Sequence, residues 1–246
     1  MRSRWNYLLA AFILLMVWQA GAWWAGDAIL AGPLAVGAKL VSEAQTGRFW
    51  LHVGSSTLRV LAALALSFLT AVPLGLFLGS SQRADRIAKP LIYLTYPVPK
   101  IVFLPVVLLV FGLGNWGKIV MLSMILFFQL LITTRDAARG VKRGARLSLY
   151  SLGGTKWDLF VHVIWPSCLP SVLTALRIAT GTVVAVLFFV ESIGTRYGMG
   201  FYILDAWGRA DVPLIFVGIV VLALLGVLLY ETFDILERVF CRWNQL

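Results

Sequence analysis

Residues 151–181 read SLGGTKWDLFVHVIWPSCLPSVLTALRIATG, and three local signals divide the stretch. Gly153-Gly154 stops a short helix expected over 143–152, because glycine enters the left-handed cap conformation without a Cβ penalty. Thr155 then opens a new helix as its N-cap, with Asp158 three residues on as the acid of a capping box. Trp157, Phe160 and Ile164 recur at helical spacing, with Leu159 and Val163 beside them, and Pro166 is expected to end that helix. A 24-residue run with Arg177 as its single charge follows over 167–190. The result is helix, glycine turn, amphipathic helix and then a membrane crossing. The apolar face of the pair has two possible covers. It lies on its own membrane surface, or it docks in a groove on a cytoplasmic partner.

Outside this stretch the composition is that of a membrane protein. Of 246 residues, 60% are hydrophobic and 13% charged, against about 25% charged in soluble domains. Disordered, collagen-like and disulfide-scaffold classes fail on the same numbers. Cys168 and Cys241 offer neither a CxxC pair nor a disulfide framework. A crossing of ~30 Å takes roughly 20 mostly apolar residues, and six segments approach that length: 5–26, 61–79, 90–112, 119–134, 167–190 and 212–230. The third is apolar apart from Lys100, but Pro97, Pro99 and Pro105 interrupt it. The first has Arg2, Arg4 and a small-residue site at 20–22, as a signal peptide would. Its length and its Trp23-Trp24 end favour an uncleaved helix with an interfacial belt.

With the N-terminus in the cytoplasm, inside segments hold 13 Lys and Arg and outside segments six (Lys39, Arg48, Arg59, Lys118, Arg196, Arg209), leaving Lys100 and Arg177 within spans. That bias satisfies the positive-inside rule. It absorbs most of the net charge of +10, so the charge is no evidence for nucleic acid. The expected divisions are 1–50, an N-terminal helix and external loop; 51–240, the main membrane domain, with a cytoplasmic loop over 135–166; and 241–246, a cytoplasmic tail.

Most short motifs fail on inspection. GLGNWGK, residues 112–118, matches Gly-x4-Gly-Lys, but Ile119 replaces the Ser or Thr that would hold magnesium, and the flanks are spans. His52 and His162 have no metal-ligand spacing with each other or with either cysteine, and no GxSxG or HExxH occurs. Neither a metal nor a cofactor is expected, and catalytic residues are assigned to none. The pair Gly75 and Gly79 allows close helix approach, read as ordinary intramolecular packing. Arg177 inside a span costs ~2.5–3.5 kcal/mol on insertion scales if it faces lipid. It is therefore a pathway residue, a structural tie or a snorkelling side chain. Glu191 at the far end of that span lines an external mouth, contacts a partner or is an interfacial charge.

The stretch quoted above resembles the cytoplasmic-loop signature of permease subunits of binding-protein-dependent ABC importers: Glu-Ala-Ala, three residues, Gly, nine residues, an aliphatic residue, one more, Leu-Pro. Here the Gly is Gly153, the aliphatic position Val163 and the closing pair Trp165-Pro166. PVPKIVFLPVVLLVFGLGNWGK (97–118) and YGMGFYILDAW (197–207) resemble the nitrate/sulfonate/taurine branch. The Glu-Ala-Ala positions fall on Leu147-Ser148-Leu149, so the acid is missing. The resemblance implies an all-α six-helix protein of the type I importer fold, multi-pass in a bacterial inner membrane with both termini cytoplasmic. It implies a pathway for a small solute, here a small anion such as nitrate or a sulfonate, formed by a pair of identical subunits in lipid. It also implies an ABC ATPase subunit and an external or periplasmic solute-binding protein as partners. On that reading ATP is hydrolysed by the other chain, and ATPase closure moves the loop to drive alternating access. The coupling residues are then Leu147, Gly153, Gly154, Thr155, Trp157, Phe160, Val163 and Pro166. The pathway candidates are Arg177, Glu191, Pro99 and Pro105, because a proline-broken helix is tolerated at membrane depth only where protein or a cavity satisfies its backbone. A standalone carrier or channel, or a membrane-embedded enzyme, requires no such loop.

Overall fold

The computed structural model describes residues 4–245; Arg2 and the last residue of the expected tail lie outside them. Eleven α-helices occur in that range: α1 Arg4–Ala25, α2 Pro33–Ala44, α3 Gly47–Ser80, α4 Gln82–Thr95, α5 Leu104–Phe111, α6 Asn115–Gly140, α7 Arg143–Ser151, α8 Lys156–Leu159, α9 Trp165–Glu191, α10 Met199–Gly208 and α11 Val212–Phe240. Lys100–Phe103 and Arg242–Gln245 are 3-10 turns and Phe160–Ile164 is a π-helical turn. Five helices are long and apolar enough to cross a membrane, and α4 with Lys100–Phe103 and α5, bent by 79°, brings the number to six if that pair is one broken span. Five to six spans stand against the six expected, and the third is the broken one.

The chain forms two compact units, one of residues 1–56 and 191–224 and one of residues 57–190 and 225–246. In the first, the Trp18 indole donates to the Ala31 carbonyl at 3.0 Å, and Lys39 pairs with Asp211 at 3.0 Å. The Tyr202 phenol donates to Glu43 at 3.0 Å, and burial pushes that phenol up, so it remains a donor. In the second, α3 and α6 meet along the glycine pair. A Cβ on Gly79 would lie 2.2 Å from the Arg135 carbonyl oxygen, and one on Gly75 2.8 Å from Thr134 Cβ. The pair therefore serves packing within the chain.

Two expectations need correction. First, Pro166 does not end a helix: the chain stays helical from Lys156 to Glu191. The π turn before it, in which the Trp165 N–H donates to the Phe160 carbonyl, widens the helix one residue ahead of the proline ring. Second, α3 starts at Gly47 rather than near residue 61. Arg59, counted as an external-loop charge, is buried in α3 with its guanidinium on Asn115 Oδ1 at 2.8–2.9 Å. Helices α2 and α10 lie in segments that join the expected spans.

Candidate functional site

The turn after α7 closes in two steps. The Gly153 N–H donates to the Tyr150 carbonyl and the Gly154 N–H to the Leu149 carbonyl, both at 3.0 Å, with Gly153 at φ +79°. These are the 5→2 and 6→1 bonds of a Schellman motif, which satisfies the last carbonyls of a helix. Gly154 is needed for space, because a Cβ there would lie 2.7 Å from Leu149 Cγ. Two residues on, Thr155 Oγ1 accepts from the Asp158 N–H at 3.2 Å, while Asp158 Oδ2 accepts from the Thr155 N–H at 2.8 Å. The capping box is complete.

This turn displays apolar side chains. Leu147 is 54% exposed, Leu152 85% and Trp157 70%. Trp157 stacks on Phe160, ring centroids 5.7 Å apart. The three-residue stripe expected of Trp157, Phe160 and Ile164 is not one face, however. Ile164 is buried and Phe160 half-buried, where it lines an apolar cleft with Phe68, Val72 and Phe77 of α3. The π turn accounts for this, because its longer repeat carries later residues off the line that a 3.6-residue helix would keep. Val163 and Pro166 are likewise half-buried. Beside the turn, Asp85 binds Arg135 and, at 3.2 Å, Arg139. Arg86, Lys89 and Arg143 line the same polar cleft.

The second candidate region is the break between α4 and α5. Pro97 and Pro99 have no N–H to offer the last carbonyls of α4, and the Lys100 ammonium reaches back to them, donating to Thr95 O at 2.8 Å and Tyr96 O at 2.5 Å. Its Nζ also stands over two rings, 5.3 Å from the Tyr96 centroid and 4.4 Å from that of Phe128. Pro99 is the N-cap of the 3-10 turn and Pro105 lies in the first turn of α5. Sequence reasoning named the prolines and passed over Lys100, although a charge inside a broken span is the stronger signal.

The two charged pathway candidates have partners within the chain. Arg177 pairs with Asp234 and Glu237, the latter at 3.3 Å, and its guanidinium lies over the Tyr230 ring. It ties α9 to the end of α11. Glu191 is fully buried. Both its oxygens accept from the Ser56 hydroxyl at 2.7–2.9 Å, and one accepts from the Gly200 N–H at 2.9 Å. The carboxylate thus takes the Gly200 N–H and the Ser56 hydroxyl the Met199 N–H, both at the α10 N-terminus, where the negative charge also meets the positive end of the dipole. His52 Nδ1 lies 3.0 Å from the Gly198 carbonyl oxygen, steadying the same corner. Lys118 of the Walker-like turn is 1% exposed and donates to the Leu113 carbonyl, which leaves no open ammonium for a phosphate.

Residues 71–243 match the model of the family described as "Binding-protein-dependent transport system inner membrane component". The chain belongs to that family. It is an ABC importer permease and a multi-pass inner-membrane protein. The permease is 29% identical to the formylaminopyrimidine transport permease protein ThiX of Halalkalibacterium halodurans over 95% of this chain and 94% of that one. It is 30% identical to the putative aliphatic sulfonates transport permease protein SsuC of Escherichia coli, over 94% and 89%, and 32% identical to the riboflavin transport system permease protein RibX of Chloroflexus aurantiacus, over 94% and 87%. Its fold matches that of a chain of the MetNI methionine ABC transporter in inward-facing form, with a TM-score of 0.66 at 18% identity over 78% of this chain and 96% of that one. The all-helical type I importer fold expected from the sequence is thus the permease's fold.

Proposed function

We propose that this permease forms, as a pair of identical subunits in lipid, the pathway for ATP-driven uptake of a small anion, a sulfonate or nitrate being the leading candidates. The observation that carries the reading is the doubly capped turn at 152–155, which holds Trp157, Leu147 and Leu152 exposed. A self-contained carrier has no need for such a rigid apolar knob in water. An ABC ATPase seats that knob in a groove, and ATP-driven closure moves it. The missing acid at Leu147 makes the contact apolar rather than ionic. An external solute-binding protein delivers the solute. The sulfonate relative supports this class, while the formylaminopyrimidine and riboflavin relatives mark the branch's range.

On this reading 51–240 is the transport domain, with 1–50 and 241–246 flanking it, and both termini are cytoplasmic. Single cysteines at Ser81 and Ser148 then react with impermeant reagents only from inside, and those at Ser42 and Arg209 only from outside. The native Cys168 and Cys241 are buried, and burial pushes the Cys241 thiol up, away from its reactive form. The functional test is reconstitution with an ABC ATPase and a solute-binding protein that associate with the permease. ATP hydrolysis should rise when binding protein loaded with methanesulfonate, taurine or nitrate is added. Solute movement driven by an ion gradient, with no ATPase bound, would overturn the reading.

A further inference from the structure

The break between α4 and α5 opens on a cavity of about 560 Å³, lined by Tyr96, Lys100, Phe128, Gln129 and Thr182 among others. Gln129 stands near the middle of α6 and Thr182 past the middle of α9, so the cavity lies deep between spans. Neither the Gln129 amide nor the Thr182 hydroxyl has a hydrogen-bond partner among the described residues, and Thr182 is exposed. A polar group left unpaired in hydrocarbon is costly, so this wall does not face acyl chains. Next to Thr182, Gly181 has open space where a side chain would stand. The Lys100 ammonium carries three N–H donors, of which two serve Thr95 and Tyr96. No carboxylate pairs with it among the described residues, in contrast to Arg177 on α9. The negative end of the α4 dipole and two aromatic faces hold the cation in place without neutralising it.

We propose that this cavity is a solute-contact site inside the pathway, with Lys100 drawing anionic groups in and Gln129 and Thr182 completing their hydrogen bonds. The proposal rests on the permease reading and names the residues that meet the anion. Half-helix ends at mid-membrane serve transporters of other folds in a similar way, but here the backbone carbonyls hold a lysine that does the contacting.

The test needs neither solute nor ATPase. Thr182→Cys, in protein with Cys168→Ser and Cys241→Ser, is reacted in nanodiscs with the anionic sulfonatoethyl and the cationic trimethylammonioethyl methanethiosulfonates. Both should react, and the anionic-to-cationic rate ratio should drop by about tenfold in Lys100→Gln, which keeps a donor but loses the charge. Lys100→Arg should restore it. If Lys100→Gln fails to fold, the ratio in Lys100 protein should still fall as salt is raised. Absence of labelling by both reagents would show a wall sealed from water and overturn the proposal. A ratio indifferent to Lys100 and to salt would show that the ammonium is only a helix cap. Co-purification of the ATPase with Lys100→Gln, scored in parallel, reports separately on the permease reading.

Discussion

The second unit breaks a helix at 152–155 and again at 96–100, and it treats the exposed backbone in two different ways. At the first break every cap is local: Gly153 and Gly154 close α7, and Thr155 with Asp158 opens α8. Water serves whatever remains. At the second, within the broken third span, prolines withhold their N–H groups and a lysine spends its ammonium on the carbonyls. A turn in water therefore uses backbone and short polar side chains, which fix its shape and leave apolar groups free to display. A break at membrane depth uses a charge, because lipid offers nothing to satisfy its carbonyls. The same charge then becomes available to whatever enters the cavity.

The largest effect expected from breaking this contrast is at Lys100. Lys100→Met removes two hydrogen bonds to a charged donor, each contributing ~1.5–3 kcal/mol, so unfolding in detergent should cost roughly 3 kcal/mol less than for the wild type. Lys100→Arg should recover most of that loss. A Lys100→Met protein as stable as the wild type would mean that the break is satisfied by other means. Next comes Gly154→Ala, whose Cβ would press on Leu149 Cγ and the Leu149 carbonyl. Overpacking of this kind costs ~1–3 kcal/mol, read as a lower melting temperature with membrane insertion unchanged.

How far these two breaks were legible in the sequence differs for a physical reason. The turn's signals are within six residues of one another, so Gly153, Thr155 and Asp158 could be read directly. The prolines announced an irregular third span, but the 79° bend and the reach of Lys100 to Thr95 and Tyr96 depend on three dimensions. The π turn at Phe160–Ile164 has no compositional mark, and without it Pro166 reads as a stop. Arg59 was placed in a loop because its partner, Asn115, lies 56 positions away. Glu191 is out of reach for the same reason: Ser56 is 135 positions distant, and only the fold reveals that the pair caps α10.

Smaller effects sharpen the contrast from the turn's side. Thr155→Ala removes an N-cap, with a cost of about 1 kcal/mol, and thermal unfolding should register it while Lys100-dependent labelling at Thr182→Cys stays as it was. Trp157→Ala should change stability least, within about 0.5 kcal/mol, since the side chain is mostly exposed. Yet it should weaken ATPase association about tenfold or more, the behaviour of an aromatic anchor at an interface. A Trp157→Ala permease that binds the ATPase normally would move the contact to Leu147 and Leu152.

The most direct test of the coupling role is ATPase co-purification with wild type, Gly153→Ala and Gly153→Val at matched membrane expression. Gly153 sits at φ +79° with open space around it, so a side chain there meets backbone strain of ~1–2 kcal/mol rather than a clash. The permease should insert normally in all three forms. Association and binding-protein-stimulated ATP hydrolysis should fall modestly for alanine and be lost for valine, as the reoriented helices carry Trp157 away from its groove. If Gly153→Val co-purifies and hydrolyses ATP like the wild type, the turn at 152–155 is not the coupling element.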